Sequence, residues 1–311
     1  MFDTKANVNS PRLRYFYESP IHAIIVVIIS FLGNARMQGQ LRKMRSRLTS
    51  DTSQHVQYEL PLSEQSVSLN PLIGKSIKLV YTGKIFCVHC KRSIKKAFNQ
   101  GYCYPCFTAL AQCDMCIMKP ETCHYEAGTC REPSWGEQFC FQPHVVYLAN
   151  SSAIKVGITR QTQVPTRWID QGAVQALPIF KVPSRYISGL IEIAIAKHVS
   201  DKTSWQQMLK SKAEPIDLIA RRDQLIAVCD TELADISRRF GQQAIEFLAD
   251  EPVVDIHFPV DSYPLKVKSF NLDKNTEVSG VLHGIKGQYL LLDTGVINIR
   301  KFAGYELEFL A

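Results

Sequence analysis

Four cysteines have the spacing of a closed metal site. Cys87 and Cys90 are separated by two residues, as are Cys103 and Cys106, and twelve residues lie between the two pairs. Each C-x-x-C makes a tight turn that presents two sulfurs on one side, so that two pairs complete a tetrahedron of thiolates. Such a site has no open position for a substrate. The spacing therefore predicts a structural zinc ion, with iron as the main competing metal.

A second group of cysteines follows. The simplest ligand set for it consists of Cys113, Cys116, Cys123 and Cys130. Cys140 either replaces one of these four or is a free thiol of the core. We expect about two zinc ions in all, but the long gaps between these ligands also suit an iron–sulfur cluster. The stretch from 87 to 140 has no sustained apolar period, so metal must supply the core that the stretch lacks.

The first cysteine group lies in a strongly basic segment. Between Gln65 and Cys113 there are seven lysines and arginines and no Asp or Glu, an excess as large as the net charge of +7 for the whole chain. Such a one-sided field suits a phosphate-rich partner, and aromatic rings beside cations can stack on nucleobases. The residues expected to contact nucleic acid are Lys84, Lys91, Arg92, Lys95, Lys96 and Tyr104. The alternative is a solvated basic face that only keeps the protein soluble.

The cysteine pattern and the hydropathy indicate the cellular compartment of the protein. Nine of the ten cysteines lie between Cys87 and Cys140 and include three C-x-x-C pairs, a pattern typical of metal binding in a reducing compartment. The apolar run Ile21–Leu32 has twelve residues, fewer than the roughly 20 of a spanning helix. We therefore expect a cytoplasmic protein with no stable membrane insertion. Residues 1–36 are interpreted as an N-terminal extension, with Met37 as an alternative start.

Two short strands and two helices further along the chain carry polar residues. Val145–Leu148 and Ile154–Ile158 have strand composition and are joined by a turn-forming Asn-Ser-Ser. Pro165 suits the first turn of a helix that holds Arg167. In the next helix Glu192 has small or apolar neighbours three and four positions away. A carboxylate on such a face loses solvation and needs a cation, a metal or a proton.

This order of residues resembles the GIY-YIG nuclease superfamily, which pairs two short strands that carry those tripeptides. Val145-Val146-Tyr147 stands in the first tripeptide and Lys155-Val156-Gly157 in the second, within about residues 144–210. The resemblance implies that Tyr147 deprotonates or positions the attacking water. It also implies that Arg167 stabilises the phosphate charge and that Glu192 holds one Mg²⁺ or Mn²⁺. Since Lys155 replaces a tyrosine of the pattern, catalysis is either retained through Tyr147 or lost.

The whole chain also resembles a family of uncharacterised bacterial proteins known as a domain of unknown function. The segments GYCYPC at 101–106, GTCREP at 128–133 and RWIDQGA at 167–173 carry that resemblance. It implies an intracellular bacterial protein and nothing about activity.

The expected fold class is α+β, in which a Cys-rich zinc module precedes a GIY-YIG-like α/β domain, a helical segment and a β-rich C-terminal domain. The C-terminal domain is a small barrel or sheet, which the N-terminal strands can complete. The expected units are the extension 1–36, N-terminal strands 37–86, the zinc module 87–143, the GIY-YIG-like domain 144–212, helices 213–250 and the β-rich domain 251–311.

Three functions are compatible with these features. The first is a zinc-binding protein that processes nucleic acid, with metal-dependent phosphodiester cleavage as its most specific form. The second is a non-catalytic module that binds RNA, DNA or a ribonucleoprotein and uses zinc as a scaffold. The third is an iron–sulfur or redox protein that uses the cysteines from Cys113 to Cys140.

Overall fold

The computed structural model describes residues 36–49, 55–199 and 204–311 of the 311-residue chain. The apolar run Ile21–Leu32 and the extension interpreted from it lie outside the described residues, apart from Arg36. Within the described ranges, no helix combines the length and the apolar character that crossing a membrane requires.

Strands dominate both ends of the described chain, and helices are concentrated in its middle. The described strands are β1 Arg36–Gln40, β2 Arg45–Arg47, β3 Gln57–Leu62, β4 Gln65–Ser68, β5 Ser76–Phe86, β6 Ser93–Ile94, β7 His144–Asn150, β8 Ile154–Arg160, β9 Gln175–Val182, β10 Glu246–Phe247, β11 Val254–Asp255, β12 Glu277–Lys286, β13 Tyr289–Leu292, β14 Gly295–Asn298 and β15 Tyr305–Leu310. The described helices are α1 Tyr104–Ala109, α2 Pro133–Phe139, α3 Thr166–Asp170, α4 Arg185–Ala196, α5 Trp205–Met208, α6 Leu218–Val228 and α7 Asp230–Phe240.

The largest sheet joins the two ends of the described chain. Its strand order is β1-β15-β5-β12-β13-β14, with β6 beside β5, and these neighbours are antiparallel. The register of β1 on β15 runs from Arg36 opposite Leu310 to Gln40 opposite Glu306. The segments 37–86 and 251–311 therefore share one sheet, which is the alternative that the strand pattern left open. A smaller sheet of β2, β3 and β4 adjoins it through the bridge between Leu41 and Leu62.

A second sheet occupies the middle of the chain, with order β10-β9-β7-β8 and β11 also paired with β9. All seven residues of β7 are buried, because both faces of this strand are covered. On one face Val146 and Leu148 pack in a cluster with apolar residues of α4 and α6. On the other face Val145 and Tyr147 join the core of the large sheet. The two sheets thus pack around a shared hydrophobic core, and β7, β8, α3, β9 and α4 follow in the predicted order.

Asp170, the last residue of α3, fixes this short helix to the large sheet. Its carboxylate accepts hydrogen bonds from Lys43 and from the side-chain amide of Gln288, the latter at 2.9 Å. The Gln288 side chain also accepts a hydrogen bond from the Met44 amide at 2.8 Å and donates one to the Met44 carbonyl at 3.1 Å. The Asp170 side chain is only 4% exposed, so these polar partners compensate its burial. The network holds α3, and with it Arg167, in a fixed position.

The cysteine-rich segment 87–143 connects the two sheets and contains little apolar core of its own. Helices α1 and α2 are six and seven residues long, and short 3-10 turns lie between them. In this fully described segment, the buried hydrophobic residues are Ala111 and three cysteines, Cys87, Cys103 and Cys113. The segment therefore has few apolar contacts that could hold it in one conformation.

Candidate metal centres and active site

The first four cysteines converge on one point. The sulfurs of Cys87, Cys90, Cys103 and Cys106 all lie within 4.8 Å of one another. Those of Cys90 and Cys103 are 3.7 Å apart. In a tetrahedral zinc site, bonds of about 2.3 Å place the sulfurs about 3.8 Å apart. The four cysteines therefore have the geometry of a four-thiolate metal site.

Backbone and side-chain donors are already arranged around these sulfurs. Strand β5 ends next to Cys87, whose sulfur accepts a hydrogen bond from the Cys103 amide at 3.2 Å. Cys103 caps α1 and accepts from the Cys106 amide at 3.5 Å, while Arg92 donates to the Cys90 sulfur at 3.1 Å. Although burial opposes ionisation, the surrounding N–H groups lower the pKa of the Cys87 thiol below its usual value. These donors favour the thiolate form of Cys87 and Cys90, whereas burial and the neighbouring thiols raise the pKa of Cys106 to about 12.

The basic residues of this segment lie at the surface. The side chains of Lys84, Lys91, Arg92, Lys95 and Lys96 are all exposed. Tyr104 is 60% exposed and contacts Phe98 edge to face, with the ring centroids 5.4 Å apart. Lys84 forms an ion pair with Glu306 at 3.6 Å. The predicted nucleic-acid contacts thus lie on the protein surface, and one of them already has an acidic partner.

The second cysteine group is arranged differently from the predicted set. Cys116, Cys123, Cys130 and Cys140 line one cavity. Cys113 does not line that cavity; it is buried near Asn99, and the negative charge of Cys87 acts on its thiol. Burial, and then the charges of Asp114 and the other three cavity thiols, raise the pKa of the Cys116 thiol to about 11. The predicted set of Cys113, Cys116, Cys123 and Cys130 is therefore not brought together as a whole.

A further group of possible ligands lies at the same place. Asp114, Cys116 and His124 each offer one possible ligand atom, and these three atoms lie within 4.8 Å of one another. The Asp114 carboxylate already forms an ion pair with Arg131 at 2.7 Å and accepts from the Cys116 amide at 3.4 Å. His124 contacts Asp114 through Nε2 at 3.5 Å and Thr129 through Nδ1 at 2.8 Å. The described residues thus contain two groups that could hold a metal such as zinc.

Tyr147 is placed by a glycine on the neighbouring strand. Tyr147 of β7 and Gly157 of β8 are directly paired, so their side-chain positions share one face of the sheet. A Cβ atom on Gly157 would lie 2.7 Å from the Tyr147 hydroxyl, which means that the ring lies across the glycine. The hydroxyl donates to Gln171 at 2.8 Å, and the residue has no exposed surface. Lys155, opposite Ala149, lies on the same face and is partly exposed.

Arg167 and Glu192 approach the same hydroxyl. Burial raises the pKa of Tyr147 to about 12; the guanidinium of Arg167 opposes this shift and the carboxylate of Glu192 adds to it. Helix α4, which carries Glu192, begins at Ser184, whose side chain accepts from the Ile187 amide at 3.3 Å. The three predicted residues come from β7, α3 and α4 and meet in one place. Gln171 completes the cluster, and sequence reasoning missed it because only the tertiary structure brings it to Tyr147.

Glu192 is a largely buried carboxylate. Burial raises its pKa from 4.5 to about 7, although the positive charges of Arg185 and Arg167 act in the opposite direction. Among the ion pairs formed by the described residues, none includes Glu192. Arg185 instead donates to the backbone carbonyl of Ile117. The carboxylate thus has positive charges nearby without being neutralised by a direct partner.

Comparison with known proteins identifies the family of this chain. A family model matches residues 74–307, well over half of the chain. The chain belongs to the DUF2797 family, which is described as a protein of unknown function. The matched range contains both cysteine groups and the Tyr147–Arg167–Glu192 cluster, and it omits strands β1 to β4. No curated protein and no solved structure matches the chain.

We predict that the purified protein contains about two zinc ions per chain. Cys103→Ser should lose at least one of them and should make segment 87–143 sensitive to limited proteolysis, because metal binding and folding are coupled there. Elemental analysis and a protease time course measure both effects. Cys229→Ser is the matched control, since Cys229 is buried in the helical region and donates to Ala194 instead of facing a cysteine group. Wild-type protein that contains no zinc, or iron in its place, would contradict the prediction.

The raised pKa of Glu192 predicts a pH-dependent stability difference. Because the folded state binds the Glu192 proton more tightly than the unfolded state, protonation of Glu192 stabilises the folded state. This stabilisation is complete below pH 4.5 and is lost as the pH rises through about 7. Glu192→Gln mimics the protonated group. It should therefore be more stable than wild type by up to about 3 kcal/mol at pH 8, with a smaller difference at pH 5.5.

Urea unfolding of zinc-loaded protein without Mg²⁺ or Mn²⁺ measures this difference. Glu64→Gln is the control, because Glu64 is an exposed glutamate in the turn between β3 and β4. A Glu192→Gln variant that is less stable than wild type at pH 8 would show that the carboxylate is paired with an arginine in solution.

Proposed function

We propose that this chain is a zinc-stabilised protein that binds and processes nucleic acid. In its specific form, the proposal makes the Tyr147–Arg167–Glu192 cluster a GIY-YIG-like site that cleaves phosphodiester bonds with Mg²⁺ or Mn²⁺. One observation carries it: the charges of Arg167 and Glu192 both act on Tyr147, and the partly buried Glu192 carboxylate has no ion-pair partner among the described residues.

The chemistry of the cluster suits phosphoryl transfer. A carboxylate is the ligand type that Mg²⁺ and Mn²⁺ take, and a divalent ion on Glu192 would stabilise its charged form. Arg167 offers a planar donor that matches phosphate oxygens and opposes the charge that develops on them. A metal ion at such a site polarises the phosphate and lowers the pKa of a bound water. The carboxylate and the guanidinium therefore have separate roles at the same phosphate.

The structure narrows the role of Tyr147 within this proposal. Because its pKa is about 12 and its hydroxyl donates to Gln171, Tyr147 is protonated at neutral pH. We therefore assign it a positioning role toward Arg167 instead of that of a base. Lys155, partly exposed on the same face, is then the residue of the second tripeptide to which we assign a contact with the phosphate.

The exposed cations around the first cysteine site support a nucleic-acid partner. Lys91, Arg92, Lys95 and Lys96 lie in a chain segment that contains no acidic residue. Cations along a surface bind the phosphate backbone regardless of sequence. Tyr104 beside them offers an aromatic face that a base can stack on. DNA and RNA share this chemistry, and the experiments below use both.

A second candidate function is a binding module without catalysis. The observation that favours it is the complete burial of Tyr147, which keeps its hydroxyl from a substrate. In this form Arg167 and Glu192 contribute to folding, and the basic surface alone contacts nucleic acid. An iron–sulfur or redox protein is the third candidate; four-sulfur geometry accommodates iron as well as zinc, and the metal analysis above separates the two.

We predict that Glu192→Gln abolishes cleavage and leaves nucleic-acid binding unchanged or stronger, because the variant loses the metal ligand and removes a negative charge near phosphates. The assay uses labelled single-stranded, duplex and branched DNA and single-stranded RNA, with Mg²⁺ or Mn²⁺. Wild-type cleavage should fall as the pH drops below about 7, where Glu192 is protonated before the ion binds.

Glu64→Gln serves again as the matched control and should cleave like wild type. If the wild type cuts none of these substrates in either metal but still binds them, the catalytic form of the proposal is wrong and the binding module remains.

The basic surface gives a further prediction. Replacing Lys95 and Lys96 together by glutamine should flatten the slope of log affinity against log salt by up to about two, because two counterion-releasing contacts are lost. Affinity measured by fluorescence anisotropy between low and physiological salt gives the slope. Lys210→Gln with Lys212→Gln is the matched control, an exposed lysine pair in the loop before α6. A slope that is unchanged in a folded Lys95/Lys96 variant would show that these lysines only keep the protein soluble.

A further inference from the structure

We infer that Cys116, Cys123, Cys130 and Cys140 form a second four-thiolate metal centre, suited to zinc, and that this centre fastens the cysteine-rich segment to helix α4. Cys113 is not one of its ligands. The inference concerns metal binding and helix placement, and it does not depend on whether the chain cleaves nucleic acid.

The four thiols reach one cavity from four separate pieces of chain. Cys116 lies in the 3-10 turn Met115–Ile117, and Cys123 ends the turn Pro120–Thr122. Cys130 lies in the loop before α2, and Cys140 caps the end of α2. All four line the same cavity. Four thiols supply the ligand number and type that structural zinc requires. Unlike the sulfurs of the first site, these four do not all lie within 4.8 Å of one another, so a bound ion would draw them together.

Packing around the cavity leaves room for the sulfurs. A Cβ atom on Gly136 of α2 would lie 3.7 Å from the Cys130 sulfur, so the helix passes close to this ligand. The rings of Trp135 and Phe141 also line the cavity and shield part of it from water. Partial exclusion of water strengthens the attraction between thiolates and a cation.

Cys113 lies outside the cavity. It is buried, it follows α1, and its thiol lies near Asn99, with the charges of Arg131 and Cys87 also acting on it. It lines neither this cavity nor the neighbouring one beside α4. A buried free thiol behaves as a small apolar side chain, and we assign Cys113 this packing role between the two cysteine groups.

Asp114 and His124 are better suited to the surroundings of the centre than to its ligand set. Asp114 is held by the ion pair with Arg131 and by the Cys116 amide, and both ring nitrogens of His124 have polar contacts. If Asp114 or His124 bound the metal ion instead, these contacts would be lost. The four thiols, in contrast, line the cavity itself.

Charge balance supports four thiolates here. Four thiolates and one Zn²⁺ carry a net charge of −2, which needs nearby cations in a partly buried site. Arg131 lines the cavity, and Arg185 lines the adjoining one together with Cys116 and Cys140. The Nε–H of Arg185 is buried and has no hydrogen-bond partner among the described residues. It is therefore available to donate to a thiolate.

The same loops hold the first half of α4. The Arg185 amide donates to the Cys140 carbonyl at 2.8 Å, and the Arg185 guanidinium donates to the Ile117 carbonyl. Gly189 lies so close to Pro120 that a side chain there would clash. A metal that joins Cys116 and Cys123 to Cys140 therefore fixes the chain on both sides of this helix. Glu192, one turn further along α4, depends on the same contacts for its position.

Metal content of matched variants tests the ligand set. Cys140→Ser should lose one zinc ion per chain relative to wild type, whereas Cys113→Ser and His124→Ala should keep the wild-type content. Elemental analysis of the full chain after gel filtration gives the number. Loss of an ion from Cys113→Ser or from His124→Ala, or full retention by Cys140→Ser, would overturn the inference.

Cobalt substitution covers the case in which Cys140→Ser does not fold. Cys140→His keeps a metal ligand at that position, so it should bind the same number of Co²⁺ ions as wild type with weaker thiolate-to-cobalt charge-transfer absorption. Cys113→His should leave that absorption unchanged. If Cys140→His leaves the cobalt spectrum unchanged, or Cys113→His weakens it, the assigned ligand set is wrong.

Discussion

The convergence of the sulfurs of Cys87, Cys90, Cys103 and Cys106 is the constraint on which the middle of this molecule depends. Segment 87–143 buries almost no apolar side chain apart from cysteines, so hydrophobic contacts cannot hold its turns and short helices together. Metal–sulfur bonds could join these turns instead, because they do not require regular backbone structure. The segment connects the large sheet to β7 and therefore influences how the two sheets are joined.

The consequences of this constraint reach the candidate active site. Helix α4 packs on the central sheet through apolar residues such as Ile187 and Ile191, while its other side meets the turn at Pro120. Glu192 lies on this helix and is partly buried. Arg167 is fixed from a third direction, through the hydrogen bonds of Asp170 to Lys43 and Gln288. Each residue of the cluster is thus positioned by a different part of the protein.

Local sequence patterns predicted the features that local chemistry determines. The C-x-x-C spacing was sufficient to find the first cysteine site, because both ligands of each pair come from one turn. The alternation and turn residues between 144 and 199 were sufficient for β7, β8, α3, β9 and α4. The register of β1 on β15 and the exclusion of Cys113 from the cavity could not be predicted in this way. Both depend on contacts between residues far apart in the chain, which the sequence pattern alone does not specify.

The state of Glu192 connects the structural and the functional arguments. A buried carboxylate with a purely structural role is normally satisfied by a guanidinium at hydrogen-bond distance. Arg185 has the charge for that role, but it donates to the Ile117 carbonyl next to Cys116. The cysteine-rich segment therefore holds the arginine that would otherwise neutralise Glu192. A carboxylate left in this condition is stabilised in its charged form by any cation that reaches it.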